Sequence, residues 1–324
     1  MQRHWGGYTS PLDYVRIKDG GKMYDLVIIG SGPAGLSAAL FGGRYSLKSL
    51  VIGSALGGAM AEAWEIQNYP GFKSISGLKL AEQMKEQLEA FDVKIVQDEV
   101  IKIKNKKSKI FQVMTRSGKE FESRALILAL GTQRRTLNVP GEAKYHGHGV
   151  SYCPTCDAAF FRNKTVGVVG GGDAAITGVL LLERYAQKIY LFVRGEELKG
   201  EPANIKRLKS KGRKVEILHN VEVVEIKGNQ TVEGVKLSNA KEIKLDGIFV
   251  EIGATPASAL IKDIGIETDE RGYIKVDENQ RTNVKYVYAA GDVTNAMGGF
   301  KQTVTATAQG AVAAASAYRD LTQS

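Results

Sequence analysis

The sequence predicts an α/β protein built from two Rossmann-like dinucleotide-binding units, each carrying a β-meander. Three observations predict it. Two glycine-rich turns, Gly30-Ser31-Gly32-Pro33-Ala34-Gly35 and Gly170-Gly171-Gly172-Asp173-Ala174-Ala175, each follow a short apolar run and open a helical stretch. The order of segments after the first turn recurs after the second, as in an internal duplication. The only two cysteines, Cys153 and Cys156, stand between the turns in a Cys-Pro-Thr-Cys motif followed by Asp157.

Along the chain, Tyr24 to Ile29 reads as a strand, Ala34 to Tyr45 as a helix and Leu50 to Ile52 as the next strand, which makes a βαβ unit. A helical stretch follows near Leu78 to Phe91. Val100–Lys104, Ile110–Thr115 and Phe121–Ser123 then alternate as a meander, with turn signals at Asn105 and Ser117-Gly118, and Leu126 to Leu130 is an apolar strand. The second half repeats this: strand Thr165 to Val169, helix Ala174 to Tyr185, strand Ile189 to Val193. A second meander spans Val221–Ile226, Thr231–Leu237 and Glu242–Leu245, and Gly247 to Ile252 matches Ala125 to Leu130. Val287 to Ala290 is a strand ending at Gly291-Asp292, and a small-residue helix from about Thr303 to Tyr318 closes the pattern.

Bulk properties bound the function. A chain of 324 residues normally forms more than one domain, and its 43% hydrophobic content supplies a globular core. Its 37 glycines exceed the usual share of about 7%, which suits tight turns and close approach of backbone to phosphate. The formal charge is +9. Lys102, Lys104, Lys106, Lys107 and Lys109 lie in one stretch without interleaved aromatics, so they read as a solvated hairpin and not as a nucleic-acid site. A basic surface still attracts acidic partner proteins and phosphate-bearing cofactors. No run of 18 apolar residues exists, so no membrane span is expected. Met1 to Lys22 lacks the apolar core of a secretory leader and reads as a polar extension. Two cysteines in one local motif fit a cytoplasmic redox pair better than a disulfide scaffold.

In the first turn, Gly30 permits the tight bend, Gly32 lets a pyrophosphate approach the backbone and Gly35 lets helix pack on strand. The helix N-terminus offers N–H groups and partial positive charge to the phosphates. The acidic residue that usually holds a ribose about 20 positions on is missing, since the second strand ends at Ile52-Gly53-Ser54. In the second turn Gly170, Gly172 and Ala175 take the same places, and Arg194, assisted by Lys199, is a candidate for a 2′-phosphate or a solvated side chain. Cys153 and Cys156 fall on one side of a helical turn, where Pro154 suits the first position and Asp157 is a candidate proton donor or acceptor. Buried free thiols, or a zinc site with His146 and His148, are the structural alternatives, and no metal is expected. Asp292 is placed to accept from a cofactor hydroxyl, and the helix starting at Gln302-Thr303 to stabilise charge on a reduced ring.

Together these motifs resemble the low-molecular-weight thioredoxin reductases over about Tyr24 to Tyr318. The resemblance is carried by Gly30–Gly35, Gly57-Gly58, Glu65-Ile66-Gln67-Asn68-Tyr69-Pro70-Gly71, Ser151-Tyr152-Cys153-Pro154-Thr155-Cys156-Asp157, Gly170–Ala175, Tyr288-Ala289-Ala290-Gly291-Asp292-Val293 and Lys301-Gln302-Thr303. It implies a three-layer, glutathione-reductase-like fold with the second unit inserted in the first. The FAD-binding domain would be 1–133 plus 258–324, and the NAD(P)H-binding domain, carrying the redox disulfide, 134–257. FAD would meet Gly30, Gly32, Pro33, Ala34, Gly35, Gly57, Gly58, Asn68, Gly131, Gly291, Asp292, Lys301, Gln302 and Thr303. NADPH or NADH would meet Gly170, Gly172, Asp173, Ala174, Ala175, Arg194 and Lys199. The resemblance further implies that Cys156 faces the flavin, that Cys153 attacks the disulfide of thioredoxin or a thioredoxin-like protein, and that Asp157 moves the proton. It implies a homodimer whose domains rotate about hinges near Thr132–Leu137 and Gly253–Pro256. Three departures stand out. The family's His-Arg-Arg, with a further Arg four positions on, is here Val193-Arg194-Gly195 followed by Lys199, so the nicotinamide preference stays open. Its Gly-Gly-Gln is Gly57-Gly58-Ala59, and its Ala-Thr-Gly is Ala129-Leu130-Gly131. The alternatives are a related flavoenzyme with a ferredoxin-like donor, an NADH oxidase, or a non-catalytic FAD- or metal-binding protein.

Overall fold

A computed structural model describes residues 23–63, 65–106, 110–257 and 259–323. The polar extension over Met1–Lys22, and Lys107 and Lys109 of the basic stretch, lie outside the described residues. Two α/β units are joined by a small two-stranded sheet.

The first unit contains β1 (Met23–Ile29), α1 (Pro33–Arg44), β2 (Ser49–Gly53), α2 (Gly77–Glu86) and β3 (Lys94–Gln97). It continues with β4 (Val100–Lys106), β5 (Ile110–Thr115) and β6 (Glu120–Leu128). Its parallel layer runs β3-β2-β1-β6. The sequence suggests two strands over Phe121–Ser123 and Leu126–Leu130, but the structure has one. Nothing breaks the chain between Ser123 and Leu126, so β6 runs on and changes neighbour. Its first half pairs with β5 antiparallel, closing the meander, and its burial alternates there. Its second half, Ala125 to Leu128, is wholly buried, as a strand covered on both faces should be.

The chain then forms β7 (Thr132–Arg134) and enters the second unit. This holds β8 (Val150–Ser151), α3 (Pro154–Asp157), β9 (Thr165–Val169), α4 (Asp173–Leu182), β10 (Lys188–Val193), α5 (Pro202–Lys209) and β11 (Val215–His219). Then come β12 (Val223–Gly228), β13 (Val232–Leu237), β14 (Glu242–Lys244) and β15 (Gly247–Val250). The parallel sheet is β11-β10-β9-β15-β8, and the meander β12-β13-β14 is a separate sheet. Here the return strand is broken from the meander. Asp246 exchanges two hydrogen bonds with Thr165, the carboxylate accepting its N–H at 2.7 Å, which turns the backbone into the parallel layer.

After β15 the chain makes β16 (Ala254–Pro256), which pairs antiparallel with β7. It then returns to the first unit, where β17 (Val287–Ala289) lies parallel to the second half of β6. Helix α6 (Thr303–Thr322) packs on α1. The two helices cross closely because Gly310 has no side chain: a Cβ there would sit 2.0 Å from the Ala34 carbonyl oxygen. Each unit has its own core. Leu26, Ile28, Leu50, Ile52, Leu126 and Ala313 belong to the first, and Val166, Ile176, Val179, Leu191 and Phe249 to the second.

Candidate active site

The first glycine turn closes by hydrogen bonds from β1 into β2 and on to the Gly57 loop. Gly30 N–H donates to Ile52 O at 2.7 Å, and Gly57 N–H donates to Ser31 O at 2.8 Å. The Ser31 hydroxyl, buried, donates to Ala55 O. A Cβ on Gly30 would meet Ala129 O at 2.1 Å, and one on Gly35 would meet Gly30 O at 1.9 Å. Gly32 differs: nothing lies nearer than 3.8 Å to its virtual Cβ, and it is the N-cap of α1 with Pro33 at the first turn. Packing does not demand glycine there. A phosphate lying against the backbone would, so this cradle fits a dinucleotide.

The other expected flavin-site residues gather around the same helix. Gly58 stacks on Gly32, with a virtual Cβ 3.4 Å from the Gly32 Cα. Gly291 adopts φ +82°, abuts Ala34, and donates its N–H to the buried Gln309 side chain at 2.5 Å. Burial raises the Asp292 carboxyl above its ordinary range, and the Lys301 cation partly offsets this. Lys301 does not reach outward. Its ammonium donates to the carbonyls of Asp292, at 2.9 Å, and Thr294, and lies 4.1 Å from the centroid of the Tyr273 ring. It therefore holds the Gly291–Thr294 turn in place. Gln302 caps α6 through a reciprocal box with Thr305, so Thr303 opens the helix. Asn68 donates to Gln302 Oε1 at 3.2 Å. Gly131, at φ +62°, marks the exit from β6 toward the β7–β16 sheet.

The second turn is built alike. Gly170, at φ +143°, would clash with Glu251 O at 2.2 Å if it carried a Cβ, and Ala175 lies 3.0 Å from the same point. Gly172 caps α4 and has nothing within 4 Å of its virtual Cβ, again a cradle open to a phosphate. Asp173 also holds the neighbouring loop: its Oδ1 accepts the Glu201 N–H at 3.0 Å and the Asn204 amide at 3.1 Å. Ala174 is exposed on the first turn of α4. Lys199 anchors the loop by its backbone, donating to Gly171 O at 2.7 Å. Arg194 is 85% exposed and lies 3.8 Å from Glu222, so its partner is a carboxylate.

Cys153 and Cys156 form a disulfide at the start of α3. Cys153 is the N-cap, Pro154 the first helical residue, and the Cys156 N–H points at Cys153 Sγ, 3.2 Å away. Asp157 does not touch sulfur in this oxidised form. It accepts the Ser151 hydroxyl at 2.6 Å, and Ser151 accepts the Cys153 N–H at 3.0 Å. Cys156 is exposed, and Phe160 beside it is 73% exposed.

Three polar bridges run from residues 62–68 of the first unit to the second. Asn68 donates to Glu201 Oε1 at 3.1 Å, Arg207 lies 3.6 Å from Glu65, and Arg134 contacts Glu62 while pairing with the buried Glu251 at 3.1 Å. The first bridge brings the Glu201 end of the nucleotide loop against Gln302, at the expected flavin edge. Sequence reading missed Glu62, Arg134, Glu201 and Glu251. They sit in no motif, and only the fold makes them neighbours.

The family model for pyridine nucleotide-disulphide oxidoreductases matches residues 24–310. A thioredoxin reductase from Bacillus subtilis (strain 168) is 37% identical over 302 residues, covering 91% of this chain and 94% of its own. The crystal structure of Lactococcus lactis thioredoxin reductase in its FR conformation superposes with a TM-score of 0.88 at 36% identity, covering 93% of this chain and 100% of its own. That of T. acidophilum thioredoxin reductase superposes at 0.87 and 36% identity, covering 93% and 99%. With two phosphate cradles, a disulfide in the second unit and this likeness over nearly its whole length, the chain belongs to the pyridine nucleotide-disulphide oxidoreductases, among the thioredoxin reductases.

Proposed function

We propose that this chain reduces the disulfide of thioredoxin or a thioredoxin-like protein with electrons from NAD(P)H, using FAD and the Cys153–Cys156 pair. The observation that carries the reading is the placement of the disulfide. It sits exposed in the second unit, while the nucleotide loop of that same unit meets Gln302 of the first through Asn68 and Glu201. The first cradle, Gly30 to Gly35 with Gly57, Gly58, Gly291 and Asp292, would hold FAD, and the Gly170–Ala175 cradle would hold the nicotinamide nucleotide. Bound FAD would supply a two-electron relay between nicotinamide and sulfur.

The residues of the chain account for the rest. Two electrons and two protons convert Cys153–Cys156 into two thiols. Cys153 then attacks the partner disulfide, forming a mixed disulfide and releasing one partner thiolate. Cys156 attacks Cys153 Sγ, releasing the second and restoring the pair. The Cys156 N–H at Cys153 Sγ favours a thiolate on the attacking sulfur. Asp157, freed from Ser151, would carry the proton. Because Cys156 is exposed here, its reduction requires the second unit to turn about the β7–β16 sheet, a hinge motion. The domain boundaries would then fall at 133–134 and 257–258.

A 2′-phosphate would meet Arg194, already beside Glu222 and close in sequence to Glu196 and Glu197, with Lys199 as the expected second cation. NADH is therefore accepted at least as well as NADPH. The same residues favour, as a second reading, a donor other than a nicotinamide. The chain acts as a cytoplasmic homodimer. A Cys153→Ser variant tests the pathway: flavin bleaching by nucleotide should persist while thioredoxin reduction falls to background. Persisting reduction would exclude Cys153 as the outgoing nucleophile.

A further inference from the structure

Glu142 is a carboxylate buried to 5% exposure between the hinge sheet and the redox turn. Its Oε1 accepts the Leu137 N–H at 2.8 Å and the Tyr152 hydroxyl at 2.7 Å, and its Oε2 accepts the Asn138 N–H at 2.7 Å. It makes no ion pair among the described residues, so its buried oxygens depend on these three donors, and losing one is costly. Burial first, then the bond to Glu142, push the Tyr152 hydroxyl well above the ordinary tyrosine range, which keeps it a donor.

The three donors span the two parts of the molecule that must move together. Leu137 and Asn138 follow β7, the hinge strand. Tyr152 immediately precedes Cys153. The turn between them is fixed to the second unit: Gly141, at φ +90°, lies where a Cβ would be 2.0 Å from Ile226 O, and Pro140 O accepts the Ile226 N–H at 2.9 Å. Leu137, Val139 and Tyr152 also pack on the apolar cluster that holds Val150 and Ile226. On its far side the redox turn is held by α3, whose buried Pro154 lies against Gly178 of α4 and which leads into Ala158 and Phe161 of the second core. On its near side, toward Glu142, it follows β8, an edge strand of two residues that pairs with Ile248 and Phe249 and bridges His146. The Asp157–Ser151–Cys153 bonds lie within the turn and do not fasten it to anything else.

We propose that Glu142 is a positioning residue that fastens the redox turn to the hinge, so that rotation about β7–β16 carries Cys153–Cys156 as one body. This rests on the hinge reading given under Proposed function. Two near-isosteric variants test it. Glu142→Gln replaces one acceptor oxygen with a donor, and Tyr152→Phe removes one bond while keeping the ring.

Hydrogen exchange on the oxidised protein should show the amides of Leu137, Asn138 and Cys153 opening about tenfold faster in Glu142→Gln, with β10 and α4 unchanged. In Tyr152→Phe the effect should be confined to Cys153. Anaerobic mixing with NADH or NADPH, followed in parallel by flavin absorbance and by alkylation of new thiols, should show thiol appearance slowed about tenfold and bleaching within about twofold of wild type. Unchanged exchange at Cys153 in both variants would overturn the proposal. So would bleaching and thiol appearance falling together, which is the mark of general destabilisation. If Glu142→Gln fails to fold, Tyr152→Phe decides alone. If wild type is not bleached by either nucleotide, the electron-entry reading falls, and the exchange arm, which needs no donor, still decides this one.

Discussion

Asp320, near the end of α6, shows how single side chains lock the last helix to the sheet. It accepts two parallel bonds from Arg281, at 2.8 and 2.9 Å, and the hydroxyl of the fully buried Tyr288 at 2.7 Å. The Arg281 bonds come first among the causes that hold its carboxyl below the ordinary range. The sign follows: the ionised form is favoured in the fold, so this contribution is present above the unfolded value of about 3.9 and is lost as pH falls through the depressed folded value. Asp320→Asn should cost about 1–3 kcal/mol at pH 7 in urea unfolding, with the gap to wild type narrowing below about pH 4. A gap that stays constant with pH would contradict an ionic role. Glu251 carries the opposite sign. Burial raises its carboxyl despite Arg134, so the fold favours the protonated form more than the unfolded chain does, and stability falls as pH rises from the ordinary value toward the raised one.

At the scale of elements, the two cradles separate glycines required by packing from glycines that packing leaves free and the proposed function assigns to a ligand. Gly170→Ala places a Cβ against Glu251 O and imposes a left-handed φ, so it should destabilise the second unit by about 1–3 kcal/mol. Gly172→Ala meets open space at φ −90°, so stability should change by less than about 1 kcal/mol while calorimetry finds nucleotide binding lost. If Gly172→Ala unfolds the protein, or binds nucleotide normally, the cradle assignment fails. Both turns were legible in the sequence because glycine spacing encodes these backbone needs directly. The continuity of β6 was not, since alternation gives way to full burial with no turn residue to mark where neighbours change. Nor were β3, β8, β11 and α5: β3 and β8 are too short to show a period, β11 has no alternation of burial, and three of the eight residues of α5 are basic. The Asp173 carboxylate fastens the Glu201 loop, a contact 28 residues away that spacing does not reveal.

For the whole molecule, the arrangement of the two units depends on Glu62–Arg134, Glu65–Arg207 and Asn68–Glu201, all near the surface. Exposed pairs of this kind contribute only about 0–1 kcal/mol each and are screened by salt. That suits the proposed domain rotation, in which this interface would open on every cycle. Glu62→Gln, or higher ionic strength, should therefore hasten thiol formation about two- to fivefold without changing the bleaching rate, as stopped-flow would show. A slower thiol phase would mean that the bridges assist the turn of the domains. The stretches that the sequence, through the resemblance, names as hinges pair with each other as β7 and β16. The bridges were invisible there, because they join residues from separate motifs only once both units are folded. The electron path itself is tested most directly by an anaerobic titration with NADH and, separately, NADPH, following flavin absorbance and free thiols together. The account requires bleaching by at least one nucleotide, two new thiols per chain, and reoxidation by added thioredoxin in wild type but not in Cys153→Ser. A yellow protein that neither nucleotide bleaches, or one that bleaches without forming thiols, would contradict it.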